Sequence, residues 1–428
     1  MIDAKARDAF RVLHTADWHL GKLLGEHSRE AEHEQFLEFL LKSIKNHSVD
    51  AVVIAGDVFD SANPPQSALA QYYDFLSRLY RETECCVVVI GGNHDSPGNL
   101  EAPRQLLRSL RTYVVGARPA EPGDLVIPLP SPKAPRLLVA ALPFLRDRDL
   151  RVGQSGQNAA EIQKELAKGI RNCYVEAAAA SLASANGTLP ILATGHLTVT
   201  GCKSSDSERD IHIGGLGAVT ADIFPPEFKY VALGHLHRPQ KAGFDHIRYS
   251  GSPIALSFSE ASDSKELRLV DFDAQGVAVQ RSLPIPAFRQ LAQLTTRPDR
   301  FAEDLARFTP EPGALSAWVE VIVEDPLPGE NLFEMAQKQA AGRNFEVVRV
   351  VAKRSRELTG ATLGEVDPVN NLDEILANPR KVFEMRLERE PGLLDEDKKA
   401  LRLAFTELCE IQAHKTAELG GAKMGGRP

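Results

Sequence analysis

Five times in this chain a run of apolar, β-prone residues stops abruptly on a short polar cluster of Asp, Asn or His. FRVLHTADWHL ends at Asp17 and His19, AVVIAGDVFD at Asp57 and Asp60, CCVVVIGGNHD at Asn93, His94 and Asp95, PILATGH at His196, and KYVALGHLH at His235 and His237. A buried run such as Val52, Val53 and Ile54 delivers the following carboxylate into a setting where an unpaired charge is costly. Asp57 therefore needs a cation, an amide donor or a metal. The same residue types at the other strand ends favour the metal.

Between these runs the apolar spacing changes from strand-like to helical. Phe36, Leu40 and Ile44 predict a helix from Ser28 to about Asn46, with Ser28 as N-cap. Asn63, Pro64 and Pro65 open a second helix, striped by Ala68, Tyr72, Leu76 and Leu79. This βαβαβ alternation implies parallel strands with right-handed crossovers, and in such sheets functional groups gather at the carboxyl ends of the strands. A short helix is expected from Leu100 to Leu110 and a long one from about Asn158 to Ser184. LVIPLP and RLLVAALPF read as β segments. RYSGSPIALSFSE, KELRLVDFD and VAVQRSLPI read as antiparallel strands that complete a second sheet.

Pro284 and Pro286 mark a boundary, beyond which a strand-helix-strand-helix-strand pattern runs to about Lys353. The expected organisation is a catalytic domain over 1–284, a small α+β domain over 285–355, a linker with C-terminal helices over 356–414, and a disordered tail over 415–428. Leu394, Leu401 and Leu408, with Ala404, Phe405 and Ile411, form a helical stripe. The pattern alone leaves open whether it packs on its own chain or on a partner.

Length and composition bound the remaining choices. With 428 residues the chain exceeds one ordinary core, and 25% charged residues describe a globular protein. No apolar run reaches the length of a membrane span, and MIDAKARDAF lacks the apolar core of a secretion signal, so a cytoplasmic protein is expected. Five cysteines without zinc-type spacing agree with a reducing compartment. A net charge of −8 argues against a surface that attracts nucleic acid everywhere, while leaving room for a local basic path or bound cations.

Asp, His and Asn without thiolates suit manganese, iron or magnesium better than structural zinc. Two such ions about 3.5 to 4 Å apart need a shared ligand, and Asp57 is the natural bridge. Asp60 reads equally as a ligand or as a residue that hydrogen-bonds one. A single G-D-x-x-D is often a turn and a lone G-H an ordinary core histidine; five blocks at strand ends are not. Lys22, Lys203 and Arg209 lie in loops near these blocks and are candidate phosphate contacts, as is His212, although a solvated loop is the plainer reading for each. His27, His33, His47, His246 and His414 read as solvated.

The five blocks resemble the calcineurin-like metallophosphoesterase superfamily. DWHLGK, GDVFDS, GGNHDS, RDIHIGGLGAV, PPEFKYVALGHLHRPQ and YSGSPIALSFSE narrow the resemblance to its SbcD family of bacterial nuclease subunits, closely over about residues 10 to 280. The resemblance implies a four-layer αββα sandwich followed by a small α+β capping domain and C-terminal helices. It implies one metal held by Asp17, His19, Asp57 and His237 and another by Asp57, Asn93, His196 and His235. His94 would be proton donor or transition-state stabiliser, positioned by Asp95. Ser61 and Asp95 stand where Ser/Thr phosphatases of the superfamily carry Arg and Glu.

The function so implied is metal-dependent hydrolysis of duplex DNA ends and hairpins, by exonuclease and endonuclease action, in repair, recombination and replication. The partner would be an SbcC-like coiled-coil ATPase bound by the C-terminal helices, in a heterotetramer built on a homodimer. No Walker A motif occurs here, so ATP dependence would come from that partner. A small-molecule phosphodiesterase and a metal-free scaffold are the competing readings.

Overall fold

Side-chain alternation along the central strands sorts the N-terminal part of the chain into layers. The computed structural model describes residues 5–353 except 7, 151–158, 185–186, 209–216, 274–275, 312, 314 and 327–330, together with Phe383, Leu387, Lys398, Leu401, Arg402 and Phe405. Strands β1 (Phe10–Thr15), β2 (Ala51–Ile54), β3 (Cys86–Ile90) and β4 (Thr112–Val115) pair in parallel in that order. Helices α1 (Glu30–Asn46) and α2 (Gln66–Glu82) make the first two crossovers. Leu13, Val52, Ile54, Val87 and Val89 pack with Phe36, Leu40, Tyr72 and Phe75 of these helices. Their neighbours Val12, Val53, Val88 and Ile90 point the other way, into the second sheet, because successive side chains on a strand face opposite sides.

That second sheet contains β5 (Val126–Leu129), β6 (Leu137–Ala140), β7 (Ile191–His196), β8 (Phe228–Gly234), β9 (Gln240–Ala242) and β10 (Phe244–Tyr249), in the order β9-β10-β8-β7-β6-β5. Helix α3 (Ala159–Ser184) packs Leu166, Ile170, Tyr174 and Ala177 into the same core. The layers are thus helices, sheet, sheet and helix, the sandwich expected from the sequence.

The antiparallel ribbon β11 (Glu266–Asp273) and β12 (Gly276–Pro284) joins the first sheet, beside β1, not the second as the sequence suggested. Alternation identifies a strand without saying on which edge it lands. Here Arg11 stands opposite Asp271, and their buried charges fix the pairing. RYSGSPIALSFSE is strand only as far as Tyr249. Two local expectations also shift. Helix α1 starts at Glu30 and Ser28 Oγ accepts only from its N–H. The expected 100–110 helix divides at Pro103, which lacks an N–H, into Pro97–Glu101 and Arg104–Ser109.

Farther along, β13 (Leu291–Thr296), β14 (Ala317–Glu324) and β15 (Phe345–Lys353) form a three-stranded parallel sheet with helices α4 (Phe301–Arg307) and α5 (Leu332–Ala340). It has its own core of Phe301, Leu305, Val319, Val321, Val323, Ala336 and Val347. Arg289 ties it to the sandwich, pairing with buried Glu32 of α1 at 2.8 Å and lying 4.1 Å from the centre of the Trp318 ring.

The chain divides into Met1–Ser355 and Arg356–Pro428. In the second part the Phe383 and Phe405 rings stack with centroids 4.0 Å apart. Leu401 of the C-terminal stripe is exposed, at 41%, while Leu394, Ala404, Leu408 and Ile411, and the tail over 415–428, lie outside the described residues. Among the described residues no helix is long and apolar enough to cross a membrane.

Candidate metal centre

The polar clusters at the ends of β1, β2, β3, β7 and β8 converge where the two sheets meet. The backbone is strained to achieve this. Asp17, His19, Asp57 and His235 all have positive φ, between 49° and 98°, a region that costs non-glycine residues of order 1 kcal/mol or more. Two glycines make room. A Cβ on Gly92 would lie 2.1 Å from Asp57 Oδ1, and one on Gly234 would lie 2.0 Å from the Ala55 carbonyl oxygen.

Three overlapping triplets each bring one ligand-type atom per residue within 4.8 Å of the others: Asp17, His19 and His237; His19, Asp57 and His94; Asp17, Asp57 and His196. All six residues are buried. Asn93 joins through Oδ1, 2.9 Å from His196 Nε2, and the backbone N–H of His235 donates to Asp17 Oδ1 at 2.8 Å. Asp57 Oδ2 lies 3.3 Å from His196 Nε2 and 3.6 Å from His19 Nε2.

The cluster is not satisfied by the protein alone. Asp17 Oδ2 and both ring nitrogens of His19 are buried without a hydrogen bond, although His19 Nδ1 lies 3.2 Å from Asp60 Oδ1. Unmatched buried polar atoms each cost roughly 1–3 kcal/mol, and a divalent cation among these donors would satisfy them. The donor set fits such an ion.

Electrostatics point the same way. Burial would raise the Asp57 carboxyl, but the imidazoles of His196, His19 and His94 hold it well below the usual carboxylate range. Burial would lower His196, and the Asp57 charge instead lifts it to about 9. At Asp17 burial wins and raises the carboxyl, while burial and the His196 charge lower His235. A proton held between Asp57 and His196 occupies lone pairs that a metal would take, so ion and proton compete for one place.

Two of the clustered histidines are held from behind. His196 Nδ1 donates to the Ala55 carbonyl at 2.9 Å, and His94 Nδ1 to that of Asp60 at 2.7 Å. Asp95, placed beside His94 by the sequence, directs its hydrogen bonds elsewhere: its carboxylate accepts the N–H groups of Val58, Phe59 and Gly92 and so braces the Asp57 loop. Burial and then the Asp57 charge push its carboxyl up to about 7.

His33 is a correction to the sequence reading, which took it as solvated, whereas His27 keeps 30% of its side chain exposed. His33 is fully buried and neutral, its pKa lowered to about 3 by burial and by Arg29, and Nε2 donates to the Trp18 carbonyl between Asp17 and His19. His27 lies against Trp318, ring centroids 5.2 Å apart.

Of the candidate phosphate contacts, Lys22 pairs with Asp60 at 3.0 Å and is therefore near the cluster. Lys203 is exposed in a loop held through its backbone by Gln240. Arg209 and His212 lie outside the described residues. The sequence reading also missed Glu208 and Glu260, which hydrogen-bond the backbone and ring of His237. Neither ends an apolar strand, the one signal that singled out the others.

Comparison with known proteins agrees with this architecture. Residues 10–239 match the family model of the calcineurin-like phosphoesterases, and residues 287–390 match the model described as the type 5 capsule protein repressor C-terminal domain. The SbcD subunit of the nuclease SbcCD from Escherichia coli K12 is 40% identical over 357 residues, covering 81% of this chain and 86% of that protein. Its namesakes from Rhodobacter capsulatus and Bacillus subtilis are 42% and 39% identical, covering 64% and 61% of this chain and 69% and 66% of theirs. A sandwich whose strand ends meet in a buried Asp/His cluster, over a sequence this close to those nucleases, makes the chain a member of the SbcD family of metal-dependent nuclease subunits within the calcineurin-like phosphoesterases.

Proposed function

We propose that the protein is a two-metal phosphodiesterase that cuts duplex DNA at ends and hairpins, as exonuclease and endonuclease, in repair, recombination and replication. The observation that carries this reading is Asp57 Oδ2, which lies between His196 on one side and His19 on the other. One carboxylate oxygen facing two ligand groups suits a bridge. Asp17, His19, Asp57 and His237 would hold one ion, and Asp57, Asn93, His196 and His235 the other. When bound, two divalent ions, manganese by preference with magnesium or iron as alternatives, supply Lewis acidity toward a phosphodiester and acidify water at neutral pH.

The chain's own groups do the rest. The Asp60 carbonyl can only accept, so Nδ1 of His94 carries a proton and Nε2 exchanges one with the departing oxygen. Asp95 keeps the Asp57 loop in register behind it. Lys22, Lys203, Arg209 and His212 would contact DNA phosphates. Residues 1–284 would be the nuclease domain, 285–355 its cap, and the helices within 356–414 the docking element for an SbcC-like ATPase, with residues 415–428 as a tail. A homodimer inside a heterotetramer is the assembly proposed. The relatives are named as one subunit of the nuclease SbcCD, which supports a partnered enzyme. Four free cysteines among the described residues support a reducing, cytoplasmic setting.

The test is degradation of linear duplex DNA by the protein with an SbcC-type partner, ATP and manganese. His94→Ala should retain its metal content and lose cleavage by about 10²- to 10⁴-fold. Hydrolysis of small phosphodiesters without any DNA degradation would move the reading to a small-molecule phosphodiesterase.

A further inference from the structure

Behind His237, on the side away from the cluster, lies a buried carboxylate. Glu260 closes the short turn Phe258–Glu260 and is 0% exposed. Its Oε1 lies 3.1 Å from His237 Nδ1, and Ser207 Oγ, 2.6 Å from the same nitrogen, also contacts Oε1. Its Oε2 is 2.6 Å from Lys265 Nζ and accepts the Leu256 N–H at 3.2 Å. Lys265 is itself buried, and its other bonds go to the His237 carbonyl and Ser252 Oγ. A buried ion pair of this kind is not needed for stability, since apolar side chains of similar volume often do as well. Its position suggests another purpose.

An ionised carboxylate only accepts, so Glu260 obliges His237 to carry its proton on Nδ1. Nε2 is then the lone-pair nitrogen, and it is the one left for the cluster with Asp17 and His19. We propose that Glu260 is a positioning residue for the metal centre: it fixes the tautomer and ring plane of His237 and makes Nε2 a stronger donor, with Lys265 as counter-ion. The proposal rests on the two-metal reading and extends it. A carboxylate that merely stapled the 256–260 turn would be replaced by a neutral amide with no effect on the ion.

The experiment is a manganese titration of the full-length, metal-free protein by calorimetry, with the spectrum of the coupled manganese pair followed by electron paramagnetic resonance. Wild type should take up two ions. In Glu260→Gln one site should weaken about 10- to 100-fold while the other stays within about two-fold, so that the coupled spectrum appears only at higher manganese. Should Glu260→Gln bind both ions as wild type does, the proposal is overturned and the two-metal reading survives. Wild type that binds no manganese pair overturns both.

Because Glu260→Gln can fail to fold, nitrogen NMR of wild-type imidazoles, with His237 assigned by His237→Asn, gives a second readout. Protonation of His237 on Nδ1 supports the proposal, and protonation on Nε2 sinks it.

Discussion

The two ends of strand β1 are equally buried and oppositely furnished. At its start, Arg11 is 1% exposed and Asp271 2% exposed. Two hydrogen bonds of 2.6 and 2.8 Å join them, a third runs from Arg11 to the His47 carbonyl, and Arg281 adds a second cation at 3.1 Å. Just past its far end, Asp17 and His19 are 0% and 1% exposed, hold positive φ, and leave three polar atoms without a partner. One end meets the desolvation cost of its charges within the protein. The other leaves that balance to a cation. Burial of charge therefore does not distinguish the two ends of β1, whereas satisfaction of hydrogen-bonding capacity does.

The largest expected effect falls on the unsatisfied end. Asp57→Asn keeps the shape and the bond to the His94 N–H, yet should cost on the order of 10³-fold or more in DNA cleavage. The melting temperature of the metal-free protein should stay within about 2–4 °C of wild type. A collapse of that temperature would show that the centre carries stability after all, and the contrast would fail.

Gly92→Ala comes next. Its new methyl would press on Asp57 Oδ1, 2.1 Å away, and move the carboxylate; a displacement of that size costs about 100-fold in rate. Unaltered manganese binding and turnover would show that the loop gives way freely.

At the other end, Asp271→Ala should destabilise the fold by about 3–5 kcal/mol, since it strands a buried guanidinium, while manganese stoichiometry stays as in wild type. The pH dependence sharpens this. Burial would raise the Asp271 carboxyl, but Arg11 and then Arg281 hold it below the ordinary range. Its contribution is thus present in full above the unfolded value, about pH 3.9, and is lost as pH falls through the lower folded value. Chemical denaturation at pH 7 and near pH 3 should show the gap between wild type and Asp271→Ala shrinking.

The smallest effect is expected at Lys22, which is part-exposed and paired with Asp60. Lys22→Met should change stability by about 0–1 kcal/mol. It should lower the salt slope of DNA binding by about 1 if the ammonium meets a phosphate. An unchanged slope removes it from the DNA path.

What could be read in the sequence was whatever has a local signature. Val52 to Ile54 and the Phe36, Leu40, Ile44 stripe announce strand and helix by their spacing, and the layers follow from parallel crossover geometry. Asp17, Asp57, Asn93, His196, His235 and His237 stood out as polar residues at strand ends. The ribbon at Glu266 to Pro284 was placed on the wrong sheet because its partner, Arg11, lies 260 positions from Asp271. His33 was misread because one polar residue in a helix gives no sign of which backbone carbonyl it will meet. Glu260 had no signature at all, since its role exists only once Lys265, Ser207 and His237 surround it.

The bond between the His235 amide and Asp17 spans 218 positions. During synthesis, a chain that has released only its first 150 residues already displays three of the strand-end clusters, without the histidines that complete them. A site that needs these histidines is therefore complete only after the second sheet has docked. Cleavage that depends on the full cluster would likewise wait for both sheets, so a half-made polypeptide would hold scissors with one blade.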